Sequence, residues 1–214
     1  MTEPTLGWVD LEVADEFPEL RLIEMPVDAR PGRSPESVRD HLRYLSNRFR
    51  GAQAVAQRQA AVPSAYRVFY RHVGLDPDAD RTPAEAAMLD RLMHGGFKSE
   101  NLVDDALLIA LVETGVPIWA LDATRVDGSL GVRVARADER LGRAEAAPPV
   151  LDGRLVVADA QTPLAVLFGE LAPGHGVTTE TRAMRLFSVQ VAGVPSIHVE
   201  EALWQCADVL VEPA

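Results

Sequence analysis

Lysine and cysteine each occur only once in the 214 residues, as Lys98 and Cys206. A lone cysteine excludes an internal disulfide framework. Cys206 falls within the apolar periodicity of residues 199–210, which makes a packed thiol a plainer reading than a nucleophile. No window of eighteen apolar residues exists, so no transmembrane helix is expected. Met1-Thr-Glu-Pro-Thr is acidic and no apolar run follows it, so no secretory signal is expected either. The sequence contains no phosphate loop, Rossmann glycine fingerprint, nucleophile elbow or zinc-like Cys/His spacing, so neither a metal nor another cofactor is expected. The expectation is a cytoplasmic protein with no membrane and no DNA partner.

Apolar residues make up 47% and charged residues 25%, ordinary values for a globular chain long enough to bury a sizeable core. The net charge of −11 opposes unassisted binding to nucleic acid, where phosphate neutralisation drives affinity. The charge is uneven, however. Residues 28–74 hold nine arginines against Asp28, Glu36 and Asp40, a local +6 that leaves −17 on the rest. Such a segment could steer RNA onto one face, with Arg39, Arg43 and Arg50 on the outer side of a helix, or it could simply be a solvated helix face.

That helix is read from Ser34 as N-cap and Pro35 as first helical residue, with Val38, Leu42, Leu45 and Phe49 on one face. A short helix over residues 52–61, a helix over 64–73 closed by Gly74, and one over 83–93 opened by Thr82-Pro83-Ala-Glu85 follow. Residues 102–112 are apolar nearly all round, which implies a helix buried on most sides; Asp104 and Asp105 suit its positive N-terminal end. Gly115 ends that helix and Pro117 starts an extended segment through Ile118-Trp-Ala-Leu121. Loose alternation over residues 8–27 predicts a strand pair broken at Glu16-Phe-Pro18, and Leu130-Gly-Val-Arg-Val-Ala135 predicts another strand. Residues 136–151 carry no periodicity.

The richest stretch begins at Arg154. Leu155, Val156, Val157 and then Leu164, Val166, Leu167, Phe168 flank the turn Gln161-Thr162-Pro163, the pattern of a buried hairpin. Ala172-Pro-Gly-His-Gly176 cannot continue a strand, so the backbone turns and brings Thr178, Thr179, Glu180 and Arg182 together near His175. These residues make either a small polar pocket or a solvated loop with Ser/Thr caps.

With Asn101-Leu-Val-Asp-Asp105 and Gly115-Val-Pro-Ile-Trp-Ala-Leu-Asp122, this stretch resembles the editing module (the B-three/B-four domain) of the bacterial phenylalanyl-tRNA synthetase β subunit, over roughly residues 65–210. The order of motifs agrees through Val132-Arg-Val-Ala135, Leu155-Val-Val-Ala-Asp159 and Gly176-Val-Thr-Thr-Glu-Thr181. The resemblance implies an α+β fold of helices packed on a β-sandwich over residues 63–214; the periodicity of residues 1–62 adds a strand pair and a basic helix packed on that domain. The resemblance also implies a free-standing module that binds tRNA or aminoacyl-tRNA and, as a hydrolase, cleaves a mischarged ester.

In the family the ester lies among a Thr-Asn pair, a His and a Glu. Here those positions fall on Leu107, Leu108 and Trp119, and only the acid survives, as Glu180. Glu180 is then the candidate to orient an amine or water, with His175 at a family turn position as a second candidate. Asn101, Leu107, Leu108, Trp119, Thr178, Thr179, Thr181 and Arg182 are the candidate substrate contacts. Loss of the Thr, Asn and His donors would make the pocket more apolar. A non-catalytic module for an amino acid or small metabolite is the alternative.

Overall fold

Two eight-residue apolar strands that are distant in sequence carry the architecture. In the computed structural model, which describes residues 2–142, 148–150 and 152–211, β1 (Thr5–Leu6) and β2 (Trp8–Val9) are followed by α1 (Leu11–Glu16) and β3 (Arg21–Asp28). The helices α2 (Glu36–Arg48), α3 (Ala52–Ala56), α4 (Ala61–His72), α5 (Pro83–His94) and α6 (Leu102–Thr114) come next. Then follow β4 (Trp119–Asp122), β5 (Gly131–Val134), β6 (Leu155–Ala158), β7 (Pro163–Val166), β8 (Ala183–Gln190) and α7 (Ser196–Val211). The result is α+β.

One sheet runs β1-β3-β8-β4 and is antiparallel throughout; the other runs β2-β5-β6-β7, with β2 parallel to β5. β3 pairs with β8 over its full length, from Arg21 opposite Gln190 to Asp28 opposite Ala183. Leu22, Ile23 and Met25 of β3 and Met184, Leu186, Phe187 and Val189 of β8 are almost completely buried. Each such side chain contributes roughly 1.5–3 kcal/mol by leaving water. The sequence reading assigned no element to residues 183–190, yet this is the inner strand on which the sheet is built.

The chain passes from one sheet to the other at Gly7. A Cβ there would lie 2.2 Å from the Leu130 carbonyl oxygen, so only glycine fits. At Gly131, in the neighbouring strand, a Cβ would fall 2.0 Å from the Trp8 ring. These two contacts pin the sheets together at one corner.

α6 explains its own composition. It packs between α7 on one side and α2 and α5 on the other, so Leu102, Val103, Ala106, Ile109, Ala110 and Val112 are all buried. Asn101 caps it, its side-chain oxygen accepting from the amides of Val103 and Asp104 at 3.0 and 3.1 Å. Gly115 ends it in the left-handed conformation. The Thr82–Glu85 capping box on α5 is also present.

Several expectations need correction. Leu11 and Val13 are helical, because Asp10 accepts from the Glu12 amide and starts α1 where a strand was expected. Ser34 does not cap α2. Pro35 holds that position, and the Ser34 hydroxyl is committed to Asp105. α4 begins at Ala61, three residues before the expected start, since Pro63 is tolerated in a first turn. The β6–β7 hairpin forms as expected around Asp159, whose carboxylate accepts from the amides of Gln161 and Thr162 at 2.9 and 2.8 Å. Its second strand nevertheless stops at Val166, because Phe168 turns at φ +60°. That conformation costs a non-glycine residue on the order of 1 kcal/mol. The Phe168 ring offsets this strain by packing against Tyr66, Phe69, Tyr70 and Trp119, at centroid distances of 5.0 to 5.9 Å.

Candidate functional site

A cleft of about 720 Å³ opens between the N-terminal end of α6, the start of β4 and the turn that precedes β8. Its floor is apolar, with Val103, Leu107, Trp119, Leu171 and Val177. Polar groups stand at its rim: Arg33, Glu100 and Asp104 on one side, Thr178 and Thr179 on the other.

Each wall has a hidden support. On the α6 side, Asp105 is 1% exposed and accepts from the Ser34 hydroxyl (2.5 Å), the Ser99 hydroxyl (2.5 Å) and the Glu100 amide (2.9 Å). The Leu102 amide donates to the Gly32 carbonyl at 2.9 Å. Together these bonds hold residues 31–34 against the helix and place Arg33 at the rim.

On the other side, Asp122 at the end of β4 accepts from the Thr181 hydroxyl (2.6 Å) and from the hydroxyl and amide of Thr124 (2.6 and 2.9 Å). Thr181 in turn accepts from the Thr178 amide at 3.1 Å. Burial raises the Asp122 carboxyl pKa, but the bonds from Thr124 and Thr181, helped by the nearby Arg125, outweigh it and hold the group below its ordinary range.

The candidate residues divide between two adjoining hollows. Asn101, Leu107, Trp119, Thr178 and Thr179 line the cleft. Thr178 also lines a smaller hollow of about 280 Å³, with Glu180, Thr181 and Arg182. Glu180 is exposed there, its amide donating to the Thr178 hydroxyl at 3.3 Å. The Arg182 guanidinium is folded onto the carbonyls of Thr179 and Thr181, at 3.0 and 2.8 Å. Asn101 faces the cleft, but its amide donates to Asp104 at 2.5 Å in addition to its cap bonds.

Leu108 is half-buried against the core and is not among the cleft-lining residues, as expected one position round the helix from Leu107. His175 is buried in its turn. Its carbonyl accepts from the Asp122 amide at 2.9 Å, its ring Nδ1 lies 3.1 Å from the Pro173 carbonyl oxygen, and it lines neither hollow. Trp119 stacks on Phe187 with centroids 5.6 Å apart and touches Phe168 at 5.8 Å, so the cleft floor is the edge of an aromatic cluster.

Among the described residues, four of the nine arginines of the basic segment have a polar side-chain partner within the chain. Arg43 pairs with Asp40, Arg50 donates to Asn47, and Arg58 and Arg67 pair with Asp78 and Glu85. Arg39 is half-buried, with its Nε lacking a partner. Of the nine arginines, only Arg33 lines the cleft. Sequence reasoning missed Arg33 as a site residue, together with Glu100 and Asp104 at the rim; no local pattern marks Arg33, since the bond of its neighbour Ser34 to the distant Asp105 ties this loop down.

Among the described residues, no group of three His, Cys, Asp or Glu side chains could hold a metal ion, and no helix is long and apolar enough to cross a membrane. Burial pushes the Cys206 thiol above its ordinary range, which suits packing rather than nucleophilic chemistry.

Residues 65–195, more than half of the chain, match the B3/4 domain family. The chain belongs to that family. Its B3/4 domain is similar to phenylalanine–tRNA ligase beta subunits. That of Xylella fastidiosa (strain Temecula1) is 36% identical over 94 residues, covering 44% of this chain and 12% of that subunit. That of Colwellia psychrerythraea is 36% identical over 118 residues, covering 54% and 14%. The Streptomyces avermitilis subunit is 34% identical over 115 residues, covering 50% and 13%. The chain thus spans about an eighth of the length of these relatives. The B3/4 match runs from within α4 through β8 and so includes the cleft floor, the α6 wall from Glu100 onward and the turn, while Pro31, Gly32 and Arg33 lie outside it.

Proposed function

We propose that this B3/4 domain binds the aminoacylated end of a tRNA in the cytoplasm, with the amino-acid side chain in the cleft. The observation that carries the reading is the cleft itself: an apolar floor with opposite charges on one rim and hydroxyls on the other, in a domain related to tRNA ligase subunits. Val103, Leu107, Trp119 and Leu171 suit an apolar side chain. Glu100 and Asp104 suit an α-ammonium group, Arg33 suits a phosphate, and the hydroxyls of Thr178 and Thr179 suit the ester and ribose oxygens.

Hydrolysis of a mischarged ester is the finer form of the proposal. No imidazole lines the cleft, so the water would be positioned by Glu180, which shares the Thr178 turn, with Thr181 and Arg182 fixing that turn. The test is deacylation of a panel of correctly and wrongly charged tRNAs, run beside a low-salt tRNA gel shift. Turnover of one mischarged species, lowered by Glu180→Gln, supports an editing function. Binding without turnover leaves recognition alone.

A second reading, a non-catalytic module for a free amino acid or small metabolite, is favoured by the pairing of Arg43, Arg58 and Arg67 with carboxylates of the chain, which reduces the charge this segment offers to phosphates. Charge reversal at Arg39, Arg43 and Arg50 separates the two: it abolishes tRNA binding under the first reading and leaves ligand binding intact under the second.

A further inference from the structure

The geometry points to a second binding site, for a small organic anion with a short apolar body, in the hollow bordered by α3, α4 and α5. The hollow measures about 230 Å³. Ligand sites usually measure ~300–1,000 Å³, so this one suits a short chain rather than a nucleotide.

One part of the lining is charged. Arg58, Arg67 and Arg81 stand there against Asp78 and Glu85, a formal balance of +1. Arg67 and Glu85 form its base, with side chains only 9% and 8% exposed and nitrogen and oxygen 2.5 Å apart. Arg67 also donates to the Pro77 carbonyl at 3.2 Å. Asp78 sits on top, 60% exposed, accepting from Arg67 at 2.9 Å and also from Arg58. The bonds from Arg67 and then Arg58 hold its carboxyl below the ordinary range. Arg81 is exposed at the mouth and, among the described residues, its side chain has no hydrogen bond or ion pair.

The rest of the lining is apolar. It includes Ala54, Val55, Met88 and Leu92, and Val55 and Leu92 are 64% and 39% exposed. A guanidinium with free donors beside an open apolar wall is complementary to a carboxylate that carries a hydrocarbon chain. Asp78 already occupies the Arg58–Arg67 fork as an external carboxylate would, and Arg81 leaves the cluster with one positive charge in excess of neutral. None of these residues belongs to the cleft, so the inference stands apart from the proposed function.

The test titrates hexanoate into the full chain by calorimetry, with acetate, hexanol and inorganic phosphate as comparison probes. Saturable hexanoate binding, roughly tenfold or more tighter than any comparison probe, is expected. Arg81→Gln and Leu92→Asp should each weaken it about tenfold. Both side chains are exposed, so the substitutions leave the fold intact, which thermal melts verify. Absence of saturable binding overturns the inference, as does binding that survives both substitutions or phosphate binding as tight as hexanoate.

Discussion

Each wall of the cleft is pinned by one aspartate that accepts three hydrogen bonds, yet the two walls are built to different standards. Asp105 is 1% exposed and ties two hydroxyls and an amide behind α6. Asp122 is half-buried, and the turn it anchors carries Thr178, Thr179 and Glu180 in solvent. The number of bonds is the same, but Asp105 and Ser34 are both buried, whereas Asp122 is half-buried and its partner Thr124 exposed, so water replaces a lost partner more readily at the second wall. Removing an acceptor from a dry site strands its donors, and that desolvation penalty, more than the bond itself, sets the size of the loss. The α6 wall is therefore the rigid half of the cleft and the turn the adjustable half.

The largest expected effect tests the rigid wall. Asp105→Ala strands the buried Ser34 hydroxyl and removes the acceptor for the Ser99 hydroxyl and the Glu100 amide, so it should destabilise by about 3 kcal/mol in urea unfolding. A loss below about 1 kcal/mol would erase the contrast between the walls.

Next comes the floor shared by both. Trp119→Ala removes the stack on Phe187 and the contact with Phe168 and should lower stability by about 2 kcal/mol, less than a fully buried tryptophan because Trp119 is half-buried. It should also abolish any ligand binding measured in the cleft.

At the adjustable wall, Thr181→Val removes one donor to Asp122 and one acceptor for the Thr178 amide, for about 1 kcal/mol. The same variant sharpens a pH prediction. The Asp122 carboxyl is held below its ordinary value in the folded chain. Its contribution is thus present above the unfolded value of about 3.9 and lost as pH falls through the lower folded value. The protection of the Thr178 and Thr181 amides against hydrogen exchange, relative to the intrinsic rate at each pH, should fall over that acid range in the wild type and change less in the variant.

The smallest structural effect is expected at Glu180, which is exposed and whose side chain makes no hydrogen bond among the described residues. Glu180→Gln should shift stability by less than about 0.5 kcal/mol. A drop in deacylation with unchanged melting would mark a chemical role; equal rates for both proteins would remove Glu180 from the reaction.

Much of this was legible in the chain, for identifiable reasons. α6, its Asn101 cap and Gly115 stop, the α5 capping box and the β6–β7 hairpin all rest on interactions within a few residues, so local pattern suffices to find them. The candidate residues Asn101, Leu107, Trp119, Thr178 and Thr179 were reached from motif order and do line one cleft. Arg33 was not reached, because its place depends on a bond between Ser34 and a carboxylate 71 positions away.

The sequence by itself determined the helical segments from α2 to α7, the burial of α6 on most sides and the family to which the chain belongs. Only the tertiary structure decided that residues 183–190 form the inner strand between β3 and β4, and that Leu11 and Val13 lie on a helix. It also decided that His175 faces its own turn. Helix caps and turns are settled by neighbours along the chain. Strand pairing and the partner of a buried polar group are settled by whichever distant segment removes them from water.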